Sequence, residues 1–255
     1  MPKLAVLILT QNEEKNIAEC MASADFADEI VVIDSGSQDR TGQLVEELGG
    51  KFVLHPMDEE GFAGQRNFAL TQTTAEWVLY LDADERIQQG LVPKIQQIVA
   101  ENQPQAYELE RKNLVFGKLM RYGGHRSDYS GRLYPREAIH WQGKVHEQVI
   151  TSLNWTKLEQ GLYHYTYDTW EQYIQKLNRY TTMAAQEMVE RQTKVTGWGA
   201  IGHAVGGFLR DYFVRRGFMD GFYGLVMAGM AGTYTLIKYL KVVNLYRLQK
   251  KAGQQ

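Results

Sequence analysis

The first 111 residues alternate between short, almost unbroken apolar runs and stretches with helical spacing, and few folds other than an open, mostly parallel sheet flanked by helices accept that pattern. Residues 4–10, 29–34, 51–55, 77–82 and 106–111 read as strands, and the runs that lack alternation are those of strands covered on both faces. Asn12, with Glu13 and Glu14, reads as the cap and acidic first turn of a first helix whose apolar face is Ile17, Cys20 and Met21. Residues 41–48, 63–71 and 91–100 form the next three helices, the last with Pro93 tolerated in its first turn. Ligands of such sheets bind beyond the carboxyl ends of the strands, and Asp34 and Asp82 stand at two of those ends. With 255 residues and 44% apolar composition, the chain has material for one large α/β domain and an appendage.

The fourth run passes directly into Asp82-Ala83-Asp84-Glu85-Arg86. Alternate strand residues share a face, so both aspartates are expected to point to one place just beyond the strand. Hard carboxylate oxygens there suit Mg²⁺ or Mn²⁺, which in turn would hold a diphosphate, although the same acids would also serve to solvate a strand end. After the second strand, Asp34-Ser35-Gly36-Ser37 offers a carboxylate for a base N–H or ribose hydroxyl and a glycine for a tight turn, or is simply a capped turn. The third helix opens with Gly61-Phe62-Ala63-Gly64-Gln65-Arg66, where Arg66 faces a phosphate or a base, or stands solvated. No G-x-G-x-x-G follows the first strand and no G-x-x-x-x-G-K-[ST] occurs, so dehydrogenase and kinase readings fall away. Cys20 has no second cysteine to pair with, in keeping with a reducing compartment. The opening MPKLAVLILTQNEE has too short an apolar run for a secretion signal and reads as a first strand.

In this order and spacing, LTQNEEKNI, VVIDSGSQDRT, GFAGQRNFAL and LYLDADE resemble the family 2 inverting glycosyltransferases of the GT-A fold. GRLYPR, GKVHEQV, YHYTYDTWEQYIQKLNRYT and RRGFMDGFYGL are similar to the bacterial subgroup that includes lipopolysaccharide core glucosyltransferases acting on heptose. The resemblance implies a Rossmann-like α/β catalytic domain over residues 1–167 and a helical C-terminal extension over 168–255. It implies Glu13 and Asp34 in binding the nucleoside, Arg66 nearby, and Asp82 and Asp84 in holding a metal-bound diphosphate. Many members place the catalytic base in an E-D pair beyond the metal motif, and no such pair follows residue 111 here. Val145-His146-Glu147 resembles the subgroup's corresponding motif, so Glu147 is expected as general base with Asp128 in reserve. His146 either orients Glu147 or plays no chemical part. His164, in Leu162-Tyr163-His164-Tyr165, is expected to complete the metal shell or contact phosphate, or else to be a core histidine. Residues 112–141, rich in Gly, Arg and aromatics, read as a loop closing over donor and acceptor, with Arg126 and Arg132 either meeting phosphates of an anionic acceptor or standing exposed without a partner.

The tail differs from the body in charge. Residues 195–255 carry eight Lys/Arg against Asp211 and Asp220, a balance of +6, which leaves −8 on the preceding 194 residues of a chain at −2. Asp168-Thr169-Trp170-Glu171 starts a helix with a capping-box-like sequence and an apolar stripe of Trp170, Ile174, Leu177, Thr181, Ala184 and Met188. Residues 221–237 are uncharged, just short of a typical span of about 20 apolar residues, and space Gly224, Ala228 and Gly232 by four. Basic residues flank them: Arg215 and Arg216 before, Lys238, Lys241, Arg247, Lys250 and Lys251 after. This segment is expected to lie on or re-enter an anionic membrane in preference to spanning it, a packed helical hairpin being a further outcome.

The expected protein is therefore a Mn²⁺- or Mg²⁺-dependent enzyme at the cytoplasmic face of a bacterial inner membrane. It moves a hexose from a nucleotide sugar, UDP-linked, to a lipopolysaccharide core or another cell-surface glycan or glycolipid acceptor. No nucleic acid partner is expected, and an oligomer stays open. A sugar-1-phosphate nucleotidyltransferase is one alternative, although it would carry a Gly-rich, Arg-containing loop where this chain has TQNEE. A module that binds nucleotide sugar without turnover is the other.

Overall fold

The computed structural model describes residues 1–143 and 147–252, and the chain divides into two compact units, Met1–Lys112 with Asp128–His164, and Asn113–Ser127 with Tyr165–Gln255. The first unit opens with β1 (Leu4–Thr10), α1 (Ile17–Ser23), β2 (Glu29–Asp34), α2 (Thr41–Glu47), β3 (Lys51–Leu54), α3 (Gly61–Thr71) and β4 (Trp77–Asp82). It continues through β5 (Glu85–Ile87), α4 (Val92–Glu101), β6 (Ala106–Val115), β7 (Lys118–Leu119), β8 (Asp128–Pro135), β9 (His140–Gln142), β10 (Gln148–Ile150) and β11 (Trp155–Tyr167), of which β6 and β11 run on into the second unit and β7 lies within it. One sheet holds the strands in the order β3-β2-β1-β4-β8-β6-β11-β5 with β7 beside β6, while β9 and β10 form a ribbon of their own. From β3 to β4 the pairing is parallel, whereas β8 is antiparallel to both β4 and β6, and β11 is antiparallel to β5.

Burial on two faces explains the unbroken apolar runs. Leu4, Val6 and Ile8 of β1 join Trp77, Leu79 and Leu81 of β4 in a core with Ile17 and Cys20 of α1 and Ile95 and Ile98 of α4. The alternate residues Ala5, Leu7, Val78 and Tyr80 pack on the other face with Ala63 and Ala69 of α3. Register then fixes the working edge: β1 pairs Thr10 with Asp34 on one side and Leu9 with Asp82 on the other, so three strand ends stop at one rim.

Several sequence expectations meet a different local structure. Strands 4–10, 29–34 and 77–82 form as read, the third ends one residue earlier at Leu54, and the fifth of the runs extends to Val115. Asn12 does not cap a helix. It sits at φ +56°, its Oδ1 accepts the Gln38 N–H at 2.8 Å, and α1 starts five residues later with Asn16 in the cap position. Residues 112–141 are not one loop but include β7, β8 and most of β9, because β8 pairs antiparallel with both β4 and β6, and β7 with β6.

The second unit is mainly helical: α5 (Trp170–Glu190), α6 (Gly197–Leu209), a π-helical turn over Arg210–Val214, and the 32-residue α7 (Gly221–Ala252). Thr169 caps α5, its Oγ1 accepting the Gln172 N–H at 3.3 Å while Gln172 Oε1 accepts the Asp168 N–H at 3.0 Å, so Gln172 rather than Glu171 closes the box. The buried stripe of α5 is Tyr173, Leu177, Thr181 and Ala185, with Trp170 and Ile174 left exposed. Tyr173 takes the inward place because its ring packs edge-on against Tyr167 at 4.7 Å. Along α7 the small residues are internal: Ala228 is fully buried, and a Cβ on Gly232 would lie 3.1 Å from Ala204 O of α6. Lys241 joins α7 to α5, donating from Nζ to Asn178 O, Asn178 Oδ1, Thr181 Oγ1 and Thr182 Oγ1 at 2.7–2.9 Å. Among the described residues no helix is long and apolar enough to cross a membrane.

Candidate active site

The β1–α1 and β2–α2 loops are sewn together at the rim. Asp34, fully buried, accepts from Gly36 N at 2.8 Å, Ser37 N at 2.6 Å and Ser37 Oγ at 2.5 Å, a turn that places Gly36 at φ +106° where a side chain would be strained. Ser37 Oγ also accepts the Asn12 N–H at 2.7 Å, and Thr41 Oγ1 accepts the Glu13 N–H at 2.8 Å. Glu13, half-buried in the first loop, takes the Asn16 amide on Oε2 at 2.7 Å. Asp34 and Glu13 thus hold the shape of this corner as well as supplying carboxylates to it.

Beyond the end of β4, charges of opposite sign alternate through the first unit. Glu147 Oε1 lies 3.5 Å from Arg66 Nε, and Arg66 Nη2 lies 3.2 Å from Asp82 Oδ1. Asp82 Oδ2 accepts from Arg132 Nη2 at 3.0 Å, which also meets Glu85 Oε1 at 2.5 Å. Glu85 lies 3.8 Å from Arg111 Nη1, and Arg111 closes the series with a two-point grip on Asp128, 3.0 Å to Oδ1 and 2.8 Å to Oδ2. Four acids and three arginines drawn from α3, β4, β5, β6, β8 and the residue before β10 form this series. Antiparallel placement of β8 between β4 and β6 makes it possible, since Arg132 and Asp128 then lie beside the Asp82–Glu85 turn and Arg111.

Each link has a structural cause. Arg66 lies under two rings, its Cζ 4.7 Å from the Trp141 centroid and 5.4 Å from that of Tyr80, and Tyr80 Oη donates to Arg66 O at 2.7 Å. The Asn67 side chain and the Trp141 backbone exchange two 2.8 Å bonds, which fixes α3 against β9. Arg86 Nη1 donates to Ala83 O and Glu85 O at 2.8 and 2.9 Å, holding the turn that carries the acids. Burial opposes the charge of Asp82, but Arg132 and Arg66 outweigh it and hold that carboxyl well below the ordinary range. At Glu85 burial prevails, with Asp82 repelling it further, and the pKa is raised in spite of Arg132. Burial works against the charge of Arg132, which Asp82 and Glu85 push firmly toward the protonated form.

Asp82 keeps a third of its side-chain surface exposed and Glu147 a fifth, so both are reachable from solvent. Arg132 is 2% exposed and faces inward, between Asp82 and Glu85 rather than toward an acceptor. Arg126 belongs to the second unit, where Nη1 lies 3.5 Å from Gly123 O. His146 lies outside the described residues. Asp84 does not share the partners of Asp82: the chain turns at Ala83, and Asp84 Oδ2 meets His164 Nε2 at 3.3 Å. No group of three or more His, Cys, Asp or Glu side chains is arranged to hold a metal ion among the described residues. A carboxylate and an imidazole side by side still fit a hard or borderline divalent cation as a two-residue grip, with coordination positions left for oxygens of a bound ligand. Among the described residues, buried donors at this rim without a hydrogen-bond partner include Thr10 Oγ1, Arg66 Nε and Nη1, and Arg132 Nε. Sequence reasoning missed Arg111, Tyr80 and Trp141 as parts of the site, and read Glu85 only as a third acid. The apolar-charged alternation of β6 was the one signal pointing to Arg111.

Residues 5–150 match the model of glycosyl transferase family 2. An uncharacterized glycosyltransferase of Rickettsia typhi is 28% identical over 269 residues, covering 99% of this chain and 89% of that protein. The lipopolysaccharide core biosynthesis glycosyltransferase LpsC of Rhizobium meliloti is 27% identical, with 98% and 96% covered. Among solved structures, residues 1–349 of S. aureus TarS in complex with UDP align with 16% identity over 97% of this chain and 92% of that one, at a TM-score of 0.49. The family match spans more than half of the chain and takes in every strand and loop that contributes to the charge series, Glu147 included. With that match laid over a parallel half-sheet whose acids gather at one rim, the chain belongs to glycosyl transferase family 2, as a glycosyltransferase of the GT-A fold.

Proposed function

We propose that this glycosyltransferase moves a hexose from a UDP-linked sugar to a lipopolysaccharide core or similar glycolipid acceptor, with inversion at the anomeric carbon and Glu147 as general base. The observation that carries the reading is the contact of Glu147 with Arg66, which ties a reachable carboxylate to the acid at the end of β4. The acceptor oxygen forms the new bond to the anomeric carbon, the bond from that carbon to the diphosphate oxygen breaks, and the acceptor's proton passes to a Glu147 carboxylate oxygen. Arg66, with its spare Nη1 donor, is suited to meet the diphosphate as charge builds on it. Glu13 and Asp34 shape the corner for the nucleoside. Asp84 and His164 would hold a Mn²⁺ or Mg²⁺ ion, whose charge would steady the leaving diphosphate. Asp128, fully engaged by Arg111, is the weaker base.

The likeness to LpsC supports the acceptor class, and an acceptor of that kind supports work at the cytoplasmic face of a bacterial inner membrane. The test is transfer by the purified full chain from a panel of radiolabelled nucleotide sugars to deacylated core oligosaccharide, with the product's anomeric configuration read by NMR. Retention, or binding of donor with neither transfer nor hydrolysis, would overturn the reading, the second outcome in favour of a binding module.

A further inference from the structure

The uncharged run of residues 221–237 is mostly half-buried or buried in the second unit, and beyond Phe222 and Leu225 this unit exposes apolar surface on other elements, α6 among them. Between Lys194 and Arg210 no residue carries a charge, and α6 fills most of that interval. Its inner side is fixed against α7: Ala200 and Gly207 are buried, a Cβ on Gly207 would lie 3.0 Å from Thr235 Oγ1, and the His203 ring stacks on Tyr239 at 4.5 Å. Its outer side presents Trp198, Ile201, Val205 and Leu209, spaced by three and four, with Trp198 85% exposed. Phe213 in the π turn and Phe222 at the start of α7 add two further exposed aromatic side chains.

The charges in this region leave one sign at the surface. Asp211 is buried with Arg215 at 3.3 Å, and Asp220 accepts the backbone N–H groups of Arg121 and Tyr122 at 3.1 and 2.8 Å. Lys241 is spent on α5, and Lys238 lies 4.9 Å from the Tyr239 ring centroid. Lys194, Arg210 and Arg216 stay exposed, at the two ends of α6 and just beyond the π turn. A 13-residue helix is about 20 Å long, so an apolar stripe with a cationic rim suits lying along an interface rather than crossing it.

We propose that the outer face of α6, with Phe213 and Phe222, is a docking surface for an anionic lipid bilayer, the rings and aliphatic chains entering the headgroup boundary and Arg210 and Arg216 meeting lipid phosphates. A lipid surface is favoured over a second copy of the chain because the rim is cationic throughout and would face its own like charge across a two-fold contact. A glycolipid acceptor is held at a bilayer, so docking here rests on the acceptor proposed above, yet the two fail separately. Transfer to a soluble acceptor without vesicle binding would overturn the surface alone, and vesicle binding without transfer would overturn the function alone.

The experiment is flotation of the full chain with phosphatidylcholine vesicles, with and without phosphatidylglycerol. Binding should require the anionic lipid at moderate salt and weaken as salt rises. Arg210→Gln with Arg216→Gln should lose about fivefold in partitioning per residue. Trp198→Ser with Ile201→Ser should lose tenfold or more at every salt concentration. These side chains are exposed, so each variant should melt as the wild type does. As a measurement that does not depend on those variants, Val205→Cys carrying a polarity-sensitive fluorophore should shift to the blue on adding anionic vesicles, and the label is selective because Cys20 is buried. No flotation of wild type with anionic vesicles at low salt, or an unshifted label, overturns the proposal. A dimer in light scattering that Trp198→Ser with Ile201→Ser converts to monomer, without flotation, assigns the face to a second copy instead.

Discussion

Replacing Arg132 by methionine tests whether the charge series holds the site together. The change keeps an unbranched side chain of similar length but removes the guanidinium that meets Asp82 at 3.0 Å and Glu85 at 2.5 Å. Asp82 would retain Arg66 at 3.2 Å, but Glu85, without any exposed side-chain surface, would keep the Asp82 backbone N–H at 3.0 Å and, as its remaining cation among these arginines, only Arg111 at 3.8 Å. Breaking a buried pair from one side costs about 3–5 kcal/mol, because a charge stays buried without its partner. At about 2–4 °C per kcal/mol for a chain of this size, melting should fall by roughly 6–20 °C. The pH dependence follows from Glu85, whose pKa is already raised by burial and by Asp82 and rises further once Arg132 is gone. A carboxyl with a folded pKa above its unfolded value keeps a proton that the unfolded chain has released, so its contribution is full below about pH 4.3 and is lost as pH rises through the folded pKa. The deficit of Arg132→Met should therefore be smallest at mildly acidic pH and grow toward neutrality. Scanning calorimetry in chelator at several pH values measures this, and adding Glu85→Gln should recover most of the loss. A single variant within about 1 kcal/mol of wild type, or a double variant no better than the single, would refute the account.

Glu147→Gln keeps the shape of the base but not its proton affinity, so turnover should fall by about 10² or more while donor binding barely changes; near-normal turnover in a transfer assay would move the base elsewhere, with Asp128 first in line. Asp84→Asn should weaken UDP binding on the order of 10–100-fold in Mn²⁺ and little in chelator, and equal calorimetric affinities in Mn²⁺ would remove Asp84 from the metal grip. Gly161→Ala would drive a Cβ into Glu110 O between β11 and β6, so melting should show a cost at or above the upper end of the usual ~1–3 kcal/mol for overpacking; an unchanged melt would mean the strands part more readily than their register implies.

The parallel half of the sheet was legible because its information is local. In β1, β2 and β4 both faces are buried, so the apolar run itself marks the strand, and the polar residue that ends it marks the rim. Where local signals compete, the sequence misled. Asn12 has the chemistry of a cap and spends it on the neighbouring loop, and α5 keeps Leu177 and Thr181 inward but buries Tyr173, packed on Tyr167, in place of Ile174. The tail carries enough apolar residues for a membrane segment, yet small residues on α7 and α6 draw the helices together and leave a different face outward.

The candidate site was half legible for a related reason. Asp34, Asp82 and Asp84 end strands or follow them directly, so the chain announces them in a few consecutive residues. Their partners come from far away in sequence: Arg132 is 50 residues from Asp82, and Arg111 stands 17 from Asp128. Only the sheet order, with β8 inserted antiparallel between β4 and β6, brings them together. Sequence pattern read Arg132 as a cation for an anionic ligand and passed over Arg111, whereas the fold engages both with acids of the same chain. The one that reaches both the strand-end acid and the candidate base is Arg66, held by Trp141 and Tyr80. Because it shares contacts with both carboxylates, its substitution and that of Glu147 or Asp82 should not add, and a double-mutant cycle across Arg66 and Glu147 should show coupling in transfer rate larger than in melting temperature.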